Sequence, residues 1–162
     1  MRTIALFVCL MISAALPTMA QEMAFLIRHA EKELSGDDPS ITEAGKSRAA
    51  AWAEMLQHVG LDVVFTSDAK RAQQTGEIIA ARLGLPLYSM DRADTVGLTD
   101  RLGFDHEADT VLIVGHSETI PGILRNLGAS NRVEVSKTDF ANLFVLFQPG
   151  SDKPQLVRLR MP

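Results

Sequence analysis

The sequence predicts an α/β fold: a three-layer α/β/α sandwich around a mainly parallel sheet, with an antiparallel hairpin at its C-terminal end. Three observations predict it. From residue 21 to residue 128, short apolar runs alternate with segments of helical periodicity. The last two apolar runs have only a turn-rich link between them. The chain of 162 residues, 46% hydrophobic and 22% charged, is long enough for one domain with a sizeable core and too apolar for wholesale disorder.

Residues 1–20 stand apart from that pattern and read as a secretory signal peptide. Arg2 supplies the positive start, residues 4–16 are almost wholly apolar, and Thr18-Met19-Ala20 offers a small-residue cleavage site. An uncleaved anchor is the competing reading, but the apolar run falls short of the roughly 20 residues that span a bilayer. Cleavage after Ala20 leaves 21–162 as the folded domain, exported to the periplasm or secreted, with no stable membrane insertion. It removes Arg2 and the single cysteine, Cys9, so the formal charge moves from −4 to −5 and no thiol chemistry or disulfide remains. A mildly acidic chain without a basic run gives no support for nucleic-acid binding.

The elements follow in order. Residues 23–27 read as a buried strand. Residues 42–59 read as a helix with Thr42 at its N-cap and Gly60 as its stop; Ala49, Trp52, Ala53 and Leu56 line one face. Residues 62–66 form a second strand and 69–83 a second helix, with Ala72, Gly76, Ile79 and Leu83 along one stripe and Gly84 at its end. Residues 85–90 and 110–114 make the third and fourth strands, with 91–109 read as loop between them. Residues 117–127 read as a short helix, Pro121 being tolerated in the first turn. Residues 143–147 and 156–159 flank the link at 148–154 and predict a hairpin on one sheet edge. Trp52, Phe144 and Phe147 are expected in the core, and His58 and His106 on the surface.

In such sheets ligands bind beyond the carboxyl ends of the strands, and there the sequence places its cations. Arg28-His29 follows the first strand. Ser67 ends the second, with Arg71 in the first turn of the helix behind it. Gly115-His116 follows the fourth, with Ser117 and Glu118 next. Each has an ordinary reading alone: a solvated loop pair, a helix-surface arginine, a histidine satisfied by backbone groups. Their joint position at strand ends overrides those readings. Two arginines, two histidines and the N-termini of two helices suit a phosphate or similar oxyanion.

These segments resemble the histidine phosphatase superfamily, also called phosphoglycerate mutase-like. Its Arg-His-Gly motif stands here as Arg28-His29-Ala30. Its second block stands as Ser67-Asp68-Ala69-Lys70-Arg71-Ala72-Gln73-Gln74-Thr75, and its Gly-His block as Gly115-His116-Ser117-Glu118-Thr119-Ile120-Pro121. The approach Asp38-Pro39-Ser40-Ile41-Thr42-Glu43-Ala44-Gly45 also matches small members. The resemblance covers residues 23–128 in the right order and spacing.

The resemblance implies a phosphatase in which His29 attacks phosphorus in line, becomes a phosphohistidine and is released by water. Arg28, Arg71 and His116 then bind the phosphoryl group, His116 in its protonated form when phosphate is bound. The attacking nitrogen must be unprotonated, so the other ring nitrogen should donate to a backbone carbonyl. Ala30 replaces the usual glycine. No acid for the leaving oxygen is evident; Glu118 and Asp91 are the possible proton donors. No cofactor is expected and no metal, since the mature chain has neither cysteine nor a His-x-x-x-His pattern. The partner is a small phosphorylated substrate. A phosphomutase, or a weakly catalytic phosphate- or phosphosugar-binding protein, is the alternative.

Overall fold

The computed structural model describes residues 23–130 and 132–161. The leader assigned to residues 1–20 lies outside the described residues. Ten elements run in the order β1 (Met23–Arg28), α1 (Glu43–Leu56), β2 (Val63–Ser67), α2 (Lys70–Leu83), β3 (Leu87–Met90), α3 (Thr95–Asp105), β4 (Thr110–Gly115), α4 (Ile120–Asn126), β5 (Asn142–Phe147) and β6 (Gln155–Arg160). One sheet has the strand order β3-β2-β4-β1-β5-β6. The first four of these strands are parallel, β5 adds on antiparallel beside β1, and β6 antiparallel beside β5. Among the described residues no helix is long and apolar enough to cross a membrane.

The central strands are apolar on both sides because helices cover both faces. Phe25, Ile27, Val64, Leu112 and Val114 meet Trp52, Leu56, Ala72 and Ile79 of α1 and α2. Leu26, Val63, Phe65, Val111 and Ile113 meet Leu98, Leu102, Ile123 and Leu124 of α3 and α4. The chain leaves β1 towards the α1 face and β4 towards the α4 face. The carboxyl ends of these two neighbouring strands therefore form the crevice at which the topology reverses.

Local chemistry sets the helix ends. Thr42 caps α1, its Oγ1 accepting from the Gly45 N–H at 3.0 Å, and Gly84 ends α2 in the left-handed region at φ 69°. Gly76 lets α2 lie close on β2: a Cβ there would collide with the Thr66 methyl.

Five expectations are corrected. α1 stops at Leu56, a turn before Gly60, because the chain already turns at Val59, whose N–H donates to the Leu56 carbonyl. α4 starts at Ile120, with residues 117–119 in a turn in which Thr119 Oγ1 accepts from the His116 N–H. Within 91–109 lies a helix, α3, capped by Asp94 and burying only Leu98 and Leu102. Its C-cap, His106, is half-buried, edge-on to Phe65 and paired with Asp109 at 2.8 Å. Phe147, paired with Phe144 in the expected core, is 39% exposed because the sheet face runs out near the edge.

Candidate active site

His29 and His116 leave adjacent parallel strands, and the His29 N–H donates to the Gly115 carbonyl at 2.9 Å. Their rings stand 5.1 Å apart. Both side chains are buried, as are Arg28 and Arg71. Arg71 lies one residue into α2 and reaches between the histidines. Its Nε donates to His29 Nε2 at 3.2 Å, and its second terminal nitrogen to His116 Nδ1 at 3.3 Å. The structure thus brings His29, His116, Arg28 and Arg71 together, from β1, β4 and the start of α2.

These bonds settle both tautomers, because a guanidinium only donates. His29 Nε2 must carry a lone pair, so the proton sits on Nδ1, which donates to the Ala30 carbonyl at 2.8 Å. His116 must accept at Nδ1, so its Nε2 donates to Ser67 Oγ at 2.7 Å. Thr75, fully buried in α2, joins the two halves. Its hydroxyl accepts from the Ala30 N–H at 3.0 Å and donates to the Arg71 carbonyl at 2.7 Å. The turn that fixes His29 and the helix residue that carries Arg71 therefore share one oxygen. Ala30 itself is buried, and its backbone has no positive φ, so a methyl group fits where the related motif has glycine.

Arg28 is held from a segment the sequence left unread. One terminal nitrogen donates to the Ser136 carbonyl at 3.2 Å, and the guanidinium lies 4.1 Å from the centre of the Phe140 ring. That segment is pinned in turn by Asp139, which accepts from Arg160 of β6 at 2.6 Å; this ion pair holds the Asp139 carboxyl down at about 2. Buried Arg28 Nε has no hydrogen-bond partner among the described residues.

The site opens into a cleft of about 410 Å³ walled by Arg28, His29, Lys32, Arg71, Ser117, Glu118 and Lys137. Glu118 is thus placed on the wall, with Ser117 Oγ donating to its Oε2 at 3.0 Å. Burial opposes its ionisation, but its own backbone N–H, Ser117, His116 and Arg71 together keep its carboxyl below the ordinary value. Asp91 is placed elsewhere, in a separate slot with Arg92, Asp94 and Leu98, and accepts from the Ala93 N–H at 2.7 Å. The α2 N-terminus, expected to face the ligand, has its Lys70 N–H bonded to Asp38, whose carboxylate also lies 3.6 Å from Arg71. Asp38, Thr75, Ser136 and Phe140 were not singled out by sequence reasoning. Thr75 lies within the second motif block, while residues 132–141 have no periodicity to read. Among the described residues no three His, Cys, Asp or Glu side chains cluster as metal ligands.

Both histidines are kept neutral. Burial above all, and then the charges of His116, Arg28 and Arg71, lower His29 to about 3, against the opposing bond to Ala30. Burial and then Arg71 lower His116 to about 4. These folded values lie below the unfolded value of about 6.5, so below about pH 6.5 the unfolded chain binds more protons. Their contribution to stability is complete above that pH and is lost as pH falls through 4 and 3. Thermal melts of the purified domain should show the midpoint falling over this window. His116→Asn should flatten part of the fall, and an unchanged slope would remove His116 as a source.

Comparison with known proteins gives the following similarities. Residues 24–94 match the family model described as histidine phosphatase superfamily (branch 1). A 2,3-bisphosphoglycerate-dependent phosphoglycerate mutase of Bradyrhizobium sp. strain BTAi1 is 36% identical over 77 residues, 42% of this chain and 37% of that protein. Its counterpart in Methylocella silvestris is 37% identical over 70 residues, 38% and 34% of the two chains. The chain thus matches little more than a third of these relatives' length. Among solved structures, the mycobacterial glucosyl-3-phosphoglycerate phosphatase complexed with VO3 superposes with a TM-score of 0.67 at 15% identity, covering 87% of this chain and 100% of that one. A structure from Agrobacterium tumefaciens, described as phosphohistidine phosphatase SixA, gives 0.63 at 20% identity, covering 87% and 99%. At these identities the solved structures share the fold.

Proposed function

We propose that this chain, a member of the histidine phosphatase superfamily, is a metal-independent phosphatase that hydrolyses a small phosphorylated substrate through a phosphohistidine on His29. One observation carries the reading: His29 Nε2 holds an unprotonated lone pair at the cleft, fixed by its bond to Arg71 and by the Nδ1 bond to Ala30.

A phosphoryl group entering the cleft takes its oxygens to Arg28, whose Nε is unused, and to Arg71. It displaces the arginine from His29 Nε2, which then attacks phosphorus in line as the bond to the leaving oxygen breaks. His116 accepts at Nδ1 in the free protein. To donate there to a phosphoryl oxygen it takes up a proton, which the anion's charge favours. Glu118, on the cleft wall, is better placed than Asp91 to protonate the leaving oxygen. The same anion raises Glu118 from its depressed value towards the protonated form. Water then attacks the phosphohistidine, its proton passes to Glu118, and phosphate and neutral His29 are regenerated.

The two mutase relatives favour a second reading, in which the phosphohistidine returns its phosphoryl group to another hydroxyl of the same substrate. Incubating the protein with 4-nitrophenyl phosphate and a panel of sugar phosphates separates the readings. Phosphate release that survives EDTA and is blocked by vanadate supports the phosphatase. An isomerised product marks a mutase, binding without turnover marks a carrier, and EDTA-sensitive turnover counts against the mechanism. We place the enzyme in the periplasm or outside the cell on the strength of the leader at residues 1–20; N-terminal sequencing of the protein from a cell-envelope or medium fraction tests that placement.

A further inference from the structure

We propose that the mouth of the cleft carries a second anion-binding position, formed by Lys32 and Lys137, that favours phosphomonoesters whose leaving group bears its own negative charge. The proposal rests on the phosphatase reading of the same cleft and specifies its substrate class. The wall residues divide by depth. Arg28, His29 and Arg71 are almost fully buried, whereas Lys32 is half-buried and Lys137 exposed, so the lysines stand where a leaving group projects from a phosphoryl group held below.

Both lysines are rooted close to the phosphoryl-binding groups. Lys32 lies three residues beyond His29 and is bridged to Ile41, whose N–H donates to Gln74 of α2. Lys137 follows Ser136, whose carbonyl receives Arg28. Their backbones are thus positioned while their long stems adjust. Neither has a carboxylate within ion-pair distance among the described residues. Lys32 Nζ has only the Glu33 carbonyl, at 3.4 Å. Lys46, by contrast, pairs with Glu43 at 2.6 Å. The nearby acids are exposed too but have other partners: Asp38 pairs with Arg71, and Glu118 accepts from Ser117. Two unpaired ammonium groups at the mouth of a site in an acidic protein match a carboxylate or second phosphate on the leaving group. Because a lysine is a mobile point charge, they would read its charge more than its exact geometry.

The experiment compares 6-phosphogluconate with glucitol 6-phosphate, both open-chain, which differ only in a carboxylate in place of a hydroxymethyl group far from the single phosphate. The unaltered protein should prefer the carboxylate-bearing ester by about fivefold in kcat/KM, the scale of two partly exposed ion pairs. In the K32Q/K137Q double variant the ratio should fall to near one. The ratio is internal, so a variant that folds less well lowers both rates together. No preference in the unaltered protein, or a preference that survives in the double variant, overturns the subsite, while release from 4-nitrophenyl phosphate leaves the phosphatase reading standing. If nothing is hydrolysed, that reading fails, and calorimetric titration of both sugars into the two proteins decides the subsite by the same ratio of affinities.

Discussion

His29→Ala should abolish turnover, with a fall of at least about four orders of magnitude in kcat, because it removes the nitrogen proposed to attack phosphorus, while the other neutral ring, His116, is assigned to the phosphoryl oxygens and takes up a proton there. Arg71 and Arg28 bind the anion whether or not His29 is present, so phosphate affinity should survive the substitution. Binding without chemistry is the expected signature. In the unaltered protein, rapid quenching should trap a phosphorylated chain visible in the intact mass, and in the variant it should not. The measurements are steady-state phosphate release and mass spectrometry of the quenched protein, with circular dichroism to confirm the fold. Turnover retained within tenfold would mean that His29 is not the acceptor.

Arg71→Gln should be the next most damaging change, lowering kcat by about two to three orders of magnitude. Arg71 bonds both histidines through different nitrogens, and a glutamine carries neither its charge nor its fork. The substitution has a second effect that a loss of structure would not mimic. Burial is the main cause of the low histidine values, but the Arg71 charge adds to it at both rings. Removing that charge raises both values, so the acid limb of the residual kcat/KM profile should move to higher pH. Arg71→Lys keeps a charge and should leave the limb nearly in place while still losing most of the rate. A pH–rate series on the three proteins tests both parts. An acid limb unmoved in Arg71→Gln would show that the guanidinium does not act on the histidines electrostatically.

Much of this architecture was legible because strong local signals coincide with the parts that build the site. The parallel strands read as apolar runs since both faces are covered, and the capped, striped α1 and α2 follow from periodicity and from Thr42 and Gly84. The cations at the strand ends could be placed together from strand order alone. α3 was not legible: it carries Gly97 and Gly103, buries two leucines, and is held by tertiary packing more than by its own pattern. Nor were Ser136, Lys137 and Phe140, which reach the cleft from an irregular segment pinned by the Asp139–Arg160 pair. Thr75 lies within a motif, yet its role as a shared oxygen follows from the three-dimensional fold, since sequence spacing says nothing about which hydroxyl lies under which turn. His106 was misjudged because a polar neighbourhood in sequence concealed an aromatic one in space.

The bonds from Arg71 to the histidines close loops of 42 and 45 residues, and β4 inserts between strands that precede it in the chain. Contacts of that sequence separation carry a loop-closure entropy cost that local helix contacts do not. The lone pair of His29 is aimed by a partner on α2, and the ring is enclosed beside β4. A partly folded chain therefore presents His29 as an ordinary solvated imidazole with ordinary basicity. The low basicity of this ring belongs to the assembled site and not to the local sequence around His29.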